Sequence, residues 1–150
     1  MNMAVVISLS HSTNELLGGS QVLQTHANSP LEWITLIRRG LPAVALDALI
    51  NAVRVSQGEL AVALDIPLRT LARHKREGRF TSEESAKLVR LARVVERAEE
   101  VFEEFDAALH WLKSPNAAMD GVTPLSMLDT DIGAENVLDT IGRIEHGVFA

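Results

Sequence analysis

The stretch Gln57-Gly58-Glu59-Leu60-Ala61-Val62-Ala63-Leu64-Asp65-Ile66-Pro67-Leu68-Arg69-Thr70-Leu71-Ala72-Arg73-His74-Lys75-Arg76 decides how this chain folds. Ser56 stands three residues before Glu59, the capping-box spacing, and starts a short helix to about Leu64. Asp65-Ile66-Pro67 breaks it, because Pro67 cannot continue the backbone bonding. A second short helix follows over about Leu68–Arg76, and Gly78 ends it. Leu60 and Leu64 face inward, Ala61 is small where the two helices approach, Ile66 plugs the turn and Leu71 anchors the second helix. Asp65 occupies the turn position where Gly is common, and Asp tolerates the left-handed conformation. This is the pattern of a helix-turn-helix, whose second helix lies in the major groove with its N-terminal side chains at base edges. Arg69, Thr70 and Arg73 are thereby assigned to bases, and His74, Lys75, Arg76 and Arg79 to phosphates. An arginine bidentate to guanine discriminates by roughly 1–3 kcal/mol. The competing reading is a helical hairpin with surface basics. Five basic residues against one acid between Arg69 and Arg79 favour DNA.

The whole chain hides that patch. It has 150 residues and a net charge of −6, with a pI near 5.3. Residues 1–80 carry eight basic and six acidic residues, whereas residues 81–150 carry six and fourteen. Between Glu99 and Asp139 ten acids face Lys113 alone. Salt screens charge beyond roughly 8–10 Å, so a local basic patch attracts phosphate on an acidic protein. Two surfaces of opposite character imply two partners, against the alternative that both are solvated helix faces. The length suits one domain or two small subdomains with a real core. The chain has no Cys, which excludes disulfides, Cys-ligated zinc and a thiol nucleophile. Its longest apolar runs, Met3–Ile7 and Leu41–Leu46, fall far short of the ~20 residues of a membrane span. Met1–Leu9 lacks the basic start of a secretory signal. A soluble cytoplasmic protein is expected.

Working outward, residues 1–28 are poor in charge and broken by Gly18-Gly19, and are expected to be a flexible or loosely docked segment. Ser29-Pro30-Leu31-Glu32 opens a helix with an N-cap, a proline at the first position and a glutamate at the third. Gly40 closes it and Pro42 opens the next, about Ala43–Val53. Thr81-Ser82-Glu83-Glu84 caps a long helix. Leu88, Leu91, Val95, Ala98, Phe102, Phe105, Leu109 and Leu112 form an apolar seam of alternating three and four spacing along it. The seam predicts one helix running to Lys113-Ser114-Pro115, either a coiled coil or, as Ala98 and the two phenylalanines favour, the buried side of a bundle helix. Thr123-Pro124 caps a short helix through Leu128. A last helix spans about Gly133–His146, Gly147 ends it, and Val148-Phe149-Ala150 extends beyond. The fold class is all-α. The organisation is residues 1–28, a helix-turn-helix domain over 29–80, and a long helix with a small C-terminal helical domain over 81–150.

Little points to catalysis. The five histidines never take a metal-ligand spacing. Glu99, Glu100, Glu103 and Glu104 flank the seam on its outer side, as a solvated face does. No catalytic residue, metal or cofactor is assigned, and the chain is not expected to be an enzyme.

Several ordered motifs resemble one antitoxin family. Arg69-Thr70-Leu71-Ala72-Arg73 followed by Thr81-Ser82-Glu83-Glu84-Ser85 is similar to the end of its Xre-type helix-turn-helix. Ala107-Ala108-Leu109-His110-Trp111-Leu112-Lys113-Ser114-Pro115-Asn116 matches an A-x-x-W-L-x-x-P-N motif. Thr123-Pro124-Leu125, Leu128-Asp129-Thr130, Gly133 and Ile141 to Gly147 resemble the Xre/MbcA/ParS toxin-binding domain. The resemblance covers about residues 45–150. It implies a type II toxin–antitoxin system whose partner is a RES-domain toxin acting on NAD⁺, bound and blocked by the C-terminal domain, with the Xre-type domain on the operon's own promoter DNA. Arg143, Ile144, His146, Gly147, Val148, Phe149 and Ala150 are then the expected toxin-binding residues, Phe149 lying past a Gly cap with little chain to bury it. A homodimer within a larger complex is expected, with Leu31–Val53 the preferred dimer surface. The alternatives are a stand-alone dimeric regulator without a toxin, and a helical adaptor that binds no DNA.

Overall fold

Side-chain caps set where most helices begin. The computed structural model describes residues 11–147; Met1–Ser10 and the tail Val148-Phe149-Ala150 lie outside the described residues. Capping boxes open α1 (Thr13–Leu16), α5 (Gln57–Leu64) and α7 (Ser82–Phe102), from Ser12/Glu15, Ser56/Glu59 and Thr81/Glu84. Ser29 caps α3 (Pro30–Arg39) with Pro30 in its first turn. The remaining α-helices are α2 (Gly19–Leu23), α4 (Val44–Val53), α6 (Leu68–Glu77), α8 (Phe105–Leu112) and α9 (Asp131–Glu145), with 3-10 turns at Ala117–Met119 and Pro124–Met127. The described residues form no strand, only an isolated backbone bridge between Pro42 and Arg79. The all-α architecture is as expected from the sequence.

The helix-turn-helix takes the expected form. Asp65 sits in the left-handed region at φ 53°. Leu60, Ala61, Leu64, Ile66 and Leu71 are buried. Lys87 of α7 donates to the Asp65 carbonyl at 3.0 Å and braces the turn. Gly40 is required where the α3–α4 junction meets the end of the unit. At φ 90° a Cβ there would stand 2.3 Å from the Phe80 carbonyl oxygen.

Three expectations are corrected. Glu99 is not part of a solvated face: it is buried and accepts from the His11 backbone N–H at 2.7 Å, while Glu103 and Glu104 are exposed. The long helix does not run to Leu112. It stops at Glu103, which adopts φ 62°, and Glu104 is extended before α8 begins. The seam therefore folds into a hairpin: Phe102 and Trp111 bring their rings to 5.6 Å, and Leu88, Leu91, Leu109 and Leu112 share one core. A straight helix would have left Leu109 and Leu112 without that shared core. The segment 11–28 is also not loosely docked. Leu16, Leu17 and Leu23 are buried, Thr13 N–H donates to Glu96 at 2.9 Å, and the buried Asn14 side chain exchanges two hydrogen bonds with the Ala27 backbone. α7 is the central scaffold, packing against α1, α3, α4, α8 and α9. No described helix is long and apolar enough to cross a membrane.

Candidate nucleic-acid interface and the C-terminal surface

α6 buries only Leu71. On the side away from it, Arg69, Arg73 and Arg76 fall at i, i+4 and i+7, which places them on one ridge. All three are exposed, and none forms an ion pair among the described residues. Thr70 is half-buried at the edge of the ridge. The first turn of α6 contains no acid, whereas every other described α-helix of eight residues or more has one. The leading end of α6 thus presents no carboxylate that would repel a phosphate.

The other three residues assigned to phosphates have partners inside the chain. His74 Nδ1 lies 2.8 and 2.9 Å from the Glu84 carboxylate oxygens, with side chains only 16% and 8% exposed. Lys75 Nζ is 2.8 Å from Asp47 and 3.3 Å from Gln57 Oε1. Arg79 donates to the Gly40 carbonyl. These residues tie α6 and its exit to α7, α4, α5 and the α3–α4 junction. Arg38 and Arg39, missed in the sequence, are exposed in the last turn of α3 beside that Gly40. The Arg-Arg pair directly before a helix-ending glycine was the available signal, since cations favour a helix C-terminus as well as phosphate.

At the other end, α9 buries Gly133, Ala134, Val137, Thr140 and Ile141. Arg90 of α7 pairs with Asp131 at its start and bonds the Leu128 carbonyl at 3.0 Å. Arg97 of α7 pairs with Glu145 at its end. That hydrogen bond holds the Glu145 carboxyl below its ordinary range and raises the Arg97 guanidinium. Glu135 and Asp139 face solvent. Of the expected toxin-binding residues, Arg143, His146 and Gly147 are exposed and Ile144 is half-buried. The other three, Val148, Phe149 and Ala150, lie outside the described residues. Trp111 packs half-buried against the core and Leu112 is fully buried, which fits a structural role for that pair.

A groove of about 670 Å³ lies away from both surfaces, lined by Trp33, Ile37, Val89, Arg93 and Glu96 among others. The described residues contain no cluster of three His, Asp or Glu able to hold a metal ion. Both candidate surfaces are exposed helix faces, and neither contributes a residue to that groove.

Residues 32–93 match the family described as the antitoxin Xre-like helix-turn-helix domain. Residues 97–147 match the antitoxin Xre/MbcA/ParS C-terminal toxin-binding domain. The two matches meet within α7. The chain is 36% identical over 117 residues to a protein named antitoxin Xre from Photorhabdus laumondii, covering 77% of this chain and 79% of the relative. It is 31% identical over 132 residues to one named Prs ADP-ribosylating antitoxin from Sphingobium, covering 81% and 83%. A solved structure, the M. tuberculosis MbcT–MbcA toxin–antitoxin complex, contains a chain of like fold. The TM-score is 0.51 at 21% identity, over 83% of this chain and 100% of that one.

Proposed function

Because the chain belongs to the Xre family of antitoxins, we propose that it neutralises a RES-domain toxin that consumes NAD⁺ and represses its own operon by binding the promoter as a homodimer. It is an antitoxin of a toxin–antitoxin system; the toxin's class and the promoter are the finer part of the reading. The observation that carries the DNA half is the ridge of Arg69, Arg73 and Arg76, three exposed cations on one face of the second helix of a helix-turn-helix. In the groove, Arg69, Thr70 and Arg73 reach bases, and Arg76 reaches phosphate.

The toxin half assigns the catalysis to the partner. ADP-ribosylation, the chemistry in the name of the Sphingobium relative, takes its group from NAD⁺, and a pocket for NAD⁺ phosphates favours cations. The exposed acids Glu135 and Asp139 on α9 complement such a surface. Arg143, Ile144, His146 and Gly147 lead toward Val148-Phe149-Ala150, the segment proposed to deny NAD⁺ entry. Both partners are then cytoplasmic.

Co-expression with the product of the neighbouring gene tests this, reading growth, cellular NAD⁺ and co-purification together. The neighbour alone should deplete NAD⁺ and stop growth, and this chain should bind it and restore both. Removing Val148–Ala150 should leave the fold intact and weaken protection. A harmless or non-binding neighbour would leave a stand-alone regulator, and full protection by the truncated chain would end the tail's role.

A further inference from the structure

We propose that Leu68 is a sequence-reading residue, making apolar contact with the 5-methyl group of thymine in the major groove. The inference rests on α6 being the DNA-reading helix. Leu68 is the first residue of α6 and is 51% exposed, whereas Leu71, three residues on, is fully buried. It is the exposed large hydrophobic residue that the described part of α6 carries. A leucine held in water at the leading end of the chain's most basic helix gains nothing for the fold.

Its position is firmly set. Ile66, two residues before it, is buried, the turn is braced by the Lys87 bond to Asp65, and Leu71 seats the first turn in the core. Leu68 therefore projects from a rigid element, as a reading residue must. On the helix surface Leu68 and Ala72 stand at i and i+4, in a row beside the i, i+4 row of Arg69 and Arg73. The two rows differ in chemistry. The arginines match the acceptors of guanine, and the apolar row matches the one apolar group on the major-groove edge, the thymine methyl. Ala72, half-buried and small, lets the helix approach closely. The N-terminal residues of a recognition helix are the ones that reach base edges. Three exposed guanidiniums nearby, with no carboxylate partner among the described residues, make this neighbourhood a better seat for DNA than for an apolar protein partner.

The test uses a duplex of the DNA immediately upstream of the coding sequence, synthesised once with thymine and once with deoxyuridine throughout. The exchange removes the methyl groups and leaves phosphates and hydrogen-bonding edges in place. The full-length protein should bind the uracil duplex about fourfold more weakly per contacted methyl, and about fifteenfold when both half-sites of a dimer carry one. Leu68→Ala, at an exposed position, should bind the two duplexes alike, with the salt dependence of the parent protein. Equal, steeply salt-dependent binding of both duplexes by the parent protein would overturn the role of Leu68 and leave DNA binding by α6 standing. A Leu68→Ala protein that still prefers thymine, or that loses toxin binding instead, would overturn it too. No salt-dependent binding of the thymine duplex would overturn both readings together.

Discussion

α6 and α9 are both amphipathic helices with charge mostly of one sign, and they are held in opposite ways. α9 buries five residues and is clamped at both ends by arginines of α7. α6 buries Leu71 alone, and its other restraints are polar: His74 to Glu84 and Lys75 to Asp47. The difference shows how a charged helix divides its work. In α6 His74 and Lys75, turned toward the protein, secure the helix, and Arg69, Arg73 and Arg76, turned away, are exposed and form no ion pair among the described residues. In α9 Asp131 and Glu145 secure the ends, and Glu135 and Asp139 between them remain free. Net charge marks both surfaces; pairing decides which residues within them are available.

The largest test of this contrast is Leu71→Ala. With α6 resting on one buried side chain, the substitution should cost about 3–4 kcal/mol in urea unfolding and abolish DNA binding. Gly133→Ala probes the other helix. A Cβ there would stand 1.9 Å from the Met127 carbonyl oxygen, and the forced shift should cost about 3 kcal/mol and impair neutralisation. Equal tolerance of both substitutions would contradict the packing described for the two helices.

A smaller effect separates free from paired cations. Arg73→Ala should weaken promoter binding about tenfold to a hundredfold in titrations at fixed salt. Lys75→Ala should weaken it less than threefold, about the scale of one exposed ion pair. A Lys75→Ala protein as defective as Arg73→Ala would show that Lys75 leaves Asp47 for the phosphates. Glu84→Ala keeps the Thr81 cap but removes the carboxylate that accepts from Thr81 N–H and that partners His74, and should lower stability by about 1–2 kcal/mol, seen as a lower melting temperature.

The smallest effect is at the end of α9. Arg97 holds the Glu145 carboxyl below its ordinary value of 4.5, so the folded state favours the ionised form. The resulting stability is present at neutral pH and is lost as pH falls through the lowered folded value. The stability difference between the parent protein and Arg97→Ala, small because both groups meet solvent, should therefore vanish in acid. A difference that stays constant as the pH is lowered, with no acid decline, would assign Arg97 a packing role instead.

Much of this was readable locally. The capping boxes at Ser56 and Thr81, the proline start at Pro30 and the left-handed Asp65 depend on residues a few positions apart, so spacing alone predicts them. The same holds for the Leu60, Leu64, Ile66 and Leu71 core of the helix-turn-helix. The break at Glu103 was not readable, because no glycine or proline marks it and the apolar spacing continues across it. The same alternating spacing is compatible with a hairpin and with a straight helix, and only the return of Trp111 onto Phe102 distinguishes them. α1 and α2 were missed because helices of four and five residues are too short to show a period. Ser12 and Glu15 carried the one local sign.

The sequence by itself determined the helix starts, the reading unit and the opposed charges of the two halves, since each follows from nearby residues and their spacing. Only the tertiary structure decided which charges are free. Arg73 and His74 are adjacent and point about 100° apart on the helix, so His74 meets the Glu84 carboxylate of α7 while Arg73 stays exposed.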